Sequence, residues 1–168
     1  SYFKERGYND ATIKKFELGY SPDNSSALTK AALSAGYKLA YLEKTGLSKT
    51  NEKGSFDFFR GRVIFPIHNL TGRILGFGGR TLKTDKKIAK YFNSPESEIY
   101  HKGNVLYGLY QAKGAIIKQD TCYLVEGYTD VVSLNQAGIE NVVASSGTAL
   151  TEGQIKLIKR YTNNITIL

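Results

Sequence analysis

Methionine is absent from all 168 residues, proline occurs three times and cysteine once. The chain opens on Ser1-Tyr2-Phe3-Lys4-Glu5-Arg6, with neither an initiator Met nor the apolar segment of a signal peptide, and reads as a segment of a longer protein. The one cysteine, Cys122, excludes an internal disulfide and any cysteine-cluster zinc site, and it fits a reducing, cytoplasmic compartment. No stretch approaches the roughly 18 consecutive apolar residues that a membrane-spanning helix needs, so no membrane segment is expected. What is present is the composition of a folded protein, 41% hydrophobic and 23% charged. At this length one domain or two small ones are expected, with a sizeable buried core.

The net charge of +8 is unevenly placed. Residues 60–102 carry nine basic side chains (Arg60, Arg62, Arg73, Arg80, Lys83, Lys86, Lys87, Lys90, Lys102) against Asp85, Glu96 and Glu98, net +6. Residues 1–59 are net +2 and residues 103–168 are neutral. Such a block attracts a polyanion over roughly one Debye length, about 8–10 Å. The lysines of 83–90 also fit a solvated loop. Arg60, Arg62 and Arg80 sit beside glycines and apolar strand residues, where a guanidinium suits phosphate recognition by paired donors.

Local pattern divides the chain into two textures. Asn24-Ser25-Ser26 before an apolar run, with Gly36 after it, predicts a capped helix, and 38–45 a second short one. Asn51-Glu52-Lys53-Gly54 marks a hairpin turn between Leu47–Lys49 and Ser55–Phe58. Arg62–Ile67 and Arg73–Phe77 read as strands joined by a turn at 68–72, with Pro66 implying an edge or a bulge. Gly76, Gly78 and Gly79 mark an unusual backbone turn or a close approach, and they are not a dinucleotide fingerprint. From 107 onward the pattern alternates. It runs helix to Lys118, strand Cys122–Val125, helix Asp130–Ala137, strand 141–144, helix from the Thr151–Gln154 capping box to Arg160, and strand 165–168. That alternation argues a parallel sheet with right-handed crossovers. The expected fold is an α+β N-terminal subdomain over 1–119 followed by a truncated α/β parallel sheet over 120–168.

In open parallel sheets ligands bind beyond the carboxyl ends of the strands. Glu126 falls there, Gly127 follows, and Asp130 sits in the first turn of the next helix. A carboxylate at that rim can reach a metal ion. Asp130 has a plainer role available as an acid near a helix N-terminus, worth about 0.3–1 kcal/mol.

Several segments together resemble the bacterial DnaG-type DNA primases. They are Tyr2–Gly7, Phe59–Ile67, Gly72–Arg80, Lys90–Glu96, His101–Leu109, Val125–Val132 and Gly147–Thr151, in order over nearly the whole chain. The resemblance implies a template-directed RNA polymerase core, with a basic amino-terminal subdomain and the first part of a Toprim fold. It implies single-stranded DNA, nucleoside triphosphates and an RNA primer as partners, and a replicative helicase through a domain absent here. Glu126 matches the family's Toprim glutamate, implied as metal ligand or acid/base for Mg2+ or Mn2+, with Asp130 in support. Arg6, Arg60, Arg62, Arg80, Lys90, Asn93 and Lys102 match positions implied to guide the template and hold nucleotide phosphates.

The family's Asp-x-Asp pair would follow Leu168, where the chain stops. One carboxylate cannot easily hold a catalytic magnesium, so this chain alone is expected to be inactive. An unpaired, apolar last strand is also expected to favour self-association through 139–168. Other readings are a non-catalytic single-stranded nucleic-acid-binding module, or another Toprim enzyme such as a helicase–primase or topoisomerase. A Ser–His hydrolase is a weak rival, since His68 and His101 lack a nucleophile motif and read as surface or turn residues.

Overall fold

The computed structural model describes residues 2–85, 87–147 and 149–168. Ser1, Lys86 of the basic block and Thr148 of the Gly147–Thr151 stretch lie outside the described residues. In chain order the elements are α1 (Tyr2–Glu5), α2 (Asp10–Lys15), β1 (Gly19–Ser21), α3 (Ala27–Ser34), α4 (Leu39–Lys44), β2 (Ser48–Asn51), β3 (Gly54–Asp57), β4 (Arg62–His68), β5 (Ile74–Thr81) and β6 (Tyr91–Asn93). They continue with a 3-10 turn (Lys102–Asn104), α5 (Leu109–Gln119), β7 (Cys122–Val125), α6 (Tyr128–Gln136), β8 (Val142–Ala144), α7 (Glu152–Ile158) and β9 (Ile165–Ile167). The chain divides into two units, one of residues 18–65 and 76–100, the other of 1–17, 66–75 and 101–168.

The first unit is built on a sheet of order β1-β4-β5-β6, with β1 antiparallel to β4 and β6 antiparallel to β5. Pro66 lies inside β4 and yet costs no ladder bond on that side, because β1 pairs only with residues 62–64. None of Gly76, Gly78 and Gly79 in β5 has a positive φ, and Gly76 and Gly79 are close-approach positions in a regular strand. A Cβ at Gly76 would lie 3.0 Å from the Ser94 side chain, and one at Gly79 only 2.6 Å from Phe59. β6 itself is hidden in the sequence by the lysines before it. Helix α3 begins after Ser26 as expected, but Ser26 makes no side-chain cap. Its N-terminus is capped from β3 instead, by the buried carboxylate of Asp57. The β2–β3 hairpin matches the expected turn, with Asn51 paired to Gly54.

The second unit carries a parallel sheet of order β8-β7-β9. The α/β alternation read from the sequence is therefore present. Helix α5 buries Leu109, Ala112 and Ile116, a 3-then-4 spacing that puts them on one face. With Leu106, Cys122, Leu124, Val143 and Ile158 they form one core cluster. The N-terminal seventeen residues belong to this unit. Gln136 of α6 takes the Asn9 N–H at 2.8 Å and donates to the Gly7 carbonyl at 2.9 Å. Tyr8 lies within hydrogen-bond distance of the Thr129 carbonyl and the Ser133 hydroxyl. His68 departs from its expected surface position. It is 9% exposed, with Nε2 at 2.6 Å from Glu17 Oε2. A strand position with an acid for a partner can hold a histidine inside, which a search for nucleophile motifs does not register.

Candidate phosphate-binding and acidic sites

Glu126 is the first residue beyond β7, at the carboxyl end of the middle strand of the parallel sheet, and is exposed. Its backbone carbonyl accepts the Ser146 N–H at 3.2 Å. That bond ties it to the loop after β8, where Ser146 and Gly147 both have positive φ, 60° and 84°. The acid thus stands exposed just beyond the carboxyl end of the middle strand, the place in the fold that the sequence predicts for it. Asp130 turns back, accepting the Gly127 N–H at 3.1 Å with Oδ2. It closes the start of α6, the plainer of its two anticipated roles. Among the described residues no three His, Cys, Asp or Glu side chains cluster to hold a metal ion. Glu126 can offer one carboxylate to a cation, but the described residues do not complete a site around it.

Lys102 and Arg6 lie in the same unit. The segment bearing Lys102 is pinned by α7. Gln154, fully buried, donates through Nε2 to the Val105 carbonyl at 2.9 Å and the Lys102 carbonyl at 3.3 Å. The Thr151 hydroxyl donates to the Gly103 carbonyl at 2.5 Å. Gly153 is required by this contact, since a Cβ there would sit 2.8 Å from the Gly103 carbonyl oxygen. The capping box read in the sequence is present, because Gln154 Oε1 also takes the Thr151 N–H. Its second task, anchoring the Lys102 turn, has no local sequence signal. Arg6 is exposed and sits over the Tyr2 ring, 5.3 Å from its centre.

The other candidates, Arg60, Arg62, Arg80, Lys90 and Asn93, belong to the sheet unit. The β5–β6 register pairs Gly78 with Asn93, Gly79 with Phe92 and Arg80 with Tyr91. Side chains alternate along a strand, so Arg80, Tyr91 and Asn93 share one face while Phe92 lies on the other. The Arg80 guanidinium is 5.8 Å from the Tyr91 ring centre. Lys90 is exposed at the edge where the preceding loop joins β6, its carbonyl taking the Thr81 N–H at 3.0 Å.

Arg62 does not join them. It is 6% exposed, and its guanidinium lies 3.7 Å from the centre of the Phe92 ring. Nη1 donates to the Ala89 carbonyl at 3.0 Å, with the Gly79 and Lys90 carbonyls each at 3.4 Å. Burial lowers its pKa from the ordinary arginine value, and it remains a cation.

Arg60 lies in the turn before β4 and lines a separate cleft of about 320 Å³ with Ser25, Asn51, Lys53, Gly54, Ser55 and Phe56. Two cations, three polar side chains and a half-buried ring without a carboxylate make this cleft suited to a phosphorylated ligand. Lys53 gives no signal in the sequence, because a lysine in a turn looks like solvation. Nearby, the Lys83 ammonium hydrogen-bonded to Asp23 at 2.7 Å holds that carboxyl below its ordinary range, and the Arg60 charge adds to this.

Residues 1–113 match the family described as DNA primase catalytic core, N-terminal domain, and residues 123–168 match the Toprim-like family. The chain is 47% identical to the DNA primase of Clostridium acetobutylicum over 99% of its own length, which is 27% of that primase. It superposes with a TM-score of 0.92 and 34% identity on the RNA polymerase domain of Mycobacterium tuberculosis primase DnaG, in complex with a double-stranded DNA oligomer with a 6-nucleotide overhang. That match covers 99% of this chain and 54% of the other. A DnaG primase catalytic domain bound to ssDNA matches with a TM-score of 0.87 and 42% identity, over 99% of this chain and 53% of that one. The chain thus spans about a quarter of the curated relative and about half of each solved domain.

Proposed function

Since the chain belongs to the family of bacterial DnaG-type DNA primases, we propose that it is part of a template-directed RNA polymerase that lays down primers on single-stranded DNA. Residues 1–119 would serve as the basic N-terminal subdomain and 120–168 as the start of the Toprim subdomain. The reaction is attack of a primer 3′-hydroxyl on the α-phosphorus of a nucleoside triphosphate, with pyrophosphate leaving. Its demand is electrostatic, and cationic side chains that fix the phosphates meet part of it. Arg80, Lys90, Asn93, Arg60, Lys102 and Arg6 are assigned to template and nucleotide phosphates. Glu126 supplies one ligand to a divalent cation, Mg2+ or Mn2+, which when bound would stabilise charge on the reacting oxygens. A replicative helicase is the proposed partner of the whole protein.

The observation that carries the reading is the exposed Glu126 at the carboxyl end of β7, inside a Toprim-like match. Glu126→Gln in the full-length protein tests it. Primer synthesis is expected to be lost while single-stranded DNA binding stays; undiminished synthesis would contradict the assignment.

A further inference from the structure

We propose that Arg62 is a positioning residue, which braces the backbone of Ala89 and Lys90 so that Lys90 is held ready for a nucleic-acid phosphate, and that Arg62 touches no phosphate itself. The inference deepens the reading of Lys90 as a phosphate contact and rests on it.

Gly79 makes the brace possible. Arg62 stands on β4, and the residues it reaches, Ala89 to Phe92, lie beyond β5 in the order β4-β5-β6. Its side chain must therefore cross β5. It does so at Gly79, where an added Cβ would lie 3.1 Å from Arg62 Cδ. Gly79 is paired with Phe92, so the guanidinium emerges over that ring. There it meets the Ala89 and Lys90 carbonyls, which a cation bonds more strongly than a neutral donor would. The glycine in β5 is thus a gap through which one arginine spans three strands.

Two consequences separate Arg62 from the phosphate-binding residues. It faces away from Arg80 and Asn93, because the strand alternation that opens the gap at Gly79 turns Arg80 to the other side. Its charge is also engaged by the ring and the carbonyls, away from solvent. Lys90, by contrast, is exposed, and the brace fixes its backbone where the loop joins β6. Ordering that backbone before a ligand arrives spares the entropy of ordering it on binding.

The test is a double-mutant cycle on binding of a fluorescent oligodeoxynucleotide by this chain, with Arg62→Gln, Lys90→Ala and both together, across a salt titration. Lys90→Ala should weaken binding and reduce the salt slope by about 0.7, the value of one single-strand phosphate contact. Arg62→Gln should weaken binding by a similar factor, and the double variant should bind no worse than Lys90→Ala alone. Independent, multiplying effects, with the slope of the double variant reduced by the value of two phosphates, would show that Arg62 meets a phosphate. That result overturns the inference and leaves the nucleic-acid reading intact. Arg62→Gln without effect overturns it as well. If Lys90→Ala changes neither affinity nor slope, the underlying reading of Lys90 fails and the inference with it. Phe92→Leu covers the case in which Arg62→Gln does not fold. It keeps the charge while removing the ring, and should weaken binding only when Lys90 is present.

Discussion

The Asp57 carboxylate takes both the backbone N–H and the hydroxyl of Thr29, at 2.9 and 2.6 Å, inside the sheet unit. Its other oxygen takes the Leu28 N–H at 2.7 Å. Asp57 is 2% exposed and stands 28 residues from Thr29, so a strand residue caps a helix that precedes it in the chain.

Replacing Asp57 by Ala removes the cap and strands buried donors. A loss of about 2–4 kcal/mol is expected from those two causes. Asp57→Asn keeps one acceptor and should lose less. Urea denaturation measures both, and an Asp57→Ala midpoint equal to that of the parent would refute the assignment.

Gln154 and Gly153 should matter for the Lys102 turn without touching a ligand. Gln154→Leu leaves the Val105 and Lys102 carbonyls without this donor, a cost of about 1–3 kcal/mol. Gly153→Ala forces a Cβ against the Gly103 carbonyl and should also lower the melting temperature. Faster amide exchange at 102–105 in Gln154→Leu is the specific readout; unchanged exchange there would show that other contacts hold the turn.

Burial pushes the Cys122 thiol up to about 12, and burial with the nearby Glu96 charge pushes the Tyr100 hydroxyl up to about 12. Both stay protonated in the native state at pH values where the unfolded chain has released its protons. Their contribution to stability is whole below about pH 8.5 for the thiol and about pH 10 for the phenol, and it falls as pH rises toward 12. Stability of the parent should therefore decline through that alkaline window, and Cys122→Ala should decline less. Parallel curves would count against this. The thiol should also resist iodoacetamide until the chain unfolds, since it is fully buried.

Much of this fold is legible in the sequence because its signals are local. Strand β7 and the Thr151–Gln154 capping box follow from periodicity and cap chemistry. Strand β6 is not, because three residues after a lysine-rich stretch form a strand only through their register with β5. The Asp57 cap and the Gln154 anchor join residues 28 and 49 positions apart, and no local window contains both partners. Arg62 groups with Arg60 and Arg80 when only its charge is considered. Strand order and the gap at Gly79 are what separate it from Arg80.

If the cationic face carrying Arg80 and Asn93, with Lys90 beside it, holds nucleic-acid phosphates as proposed, the salt dependence of single-stranded DNA binding must report it. Affinity should fall steeply between about 50 and 200 mM salt, with a slope shallower by about 0.7 in Arg80→Ala. An affinity indifferent to salt, or an Arg80→Ala slope equal to that of the parent, would refute the phosphate-binding face.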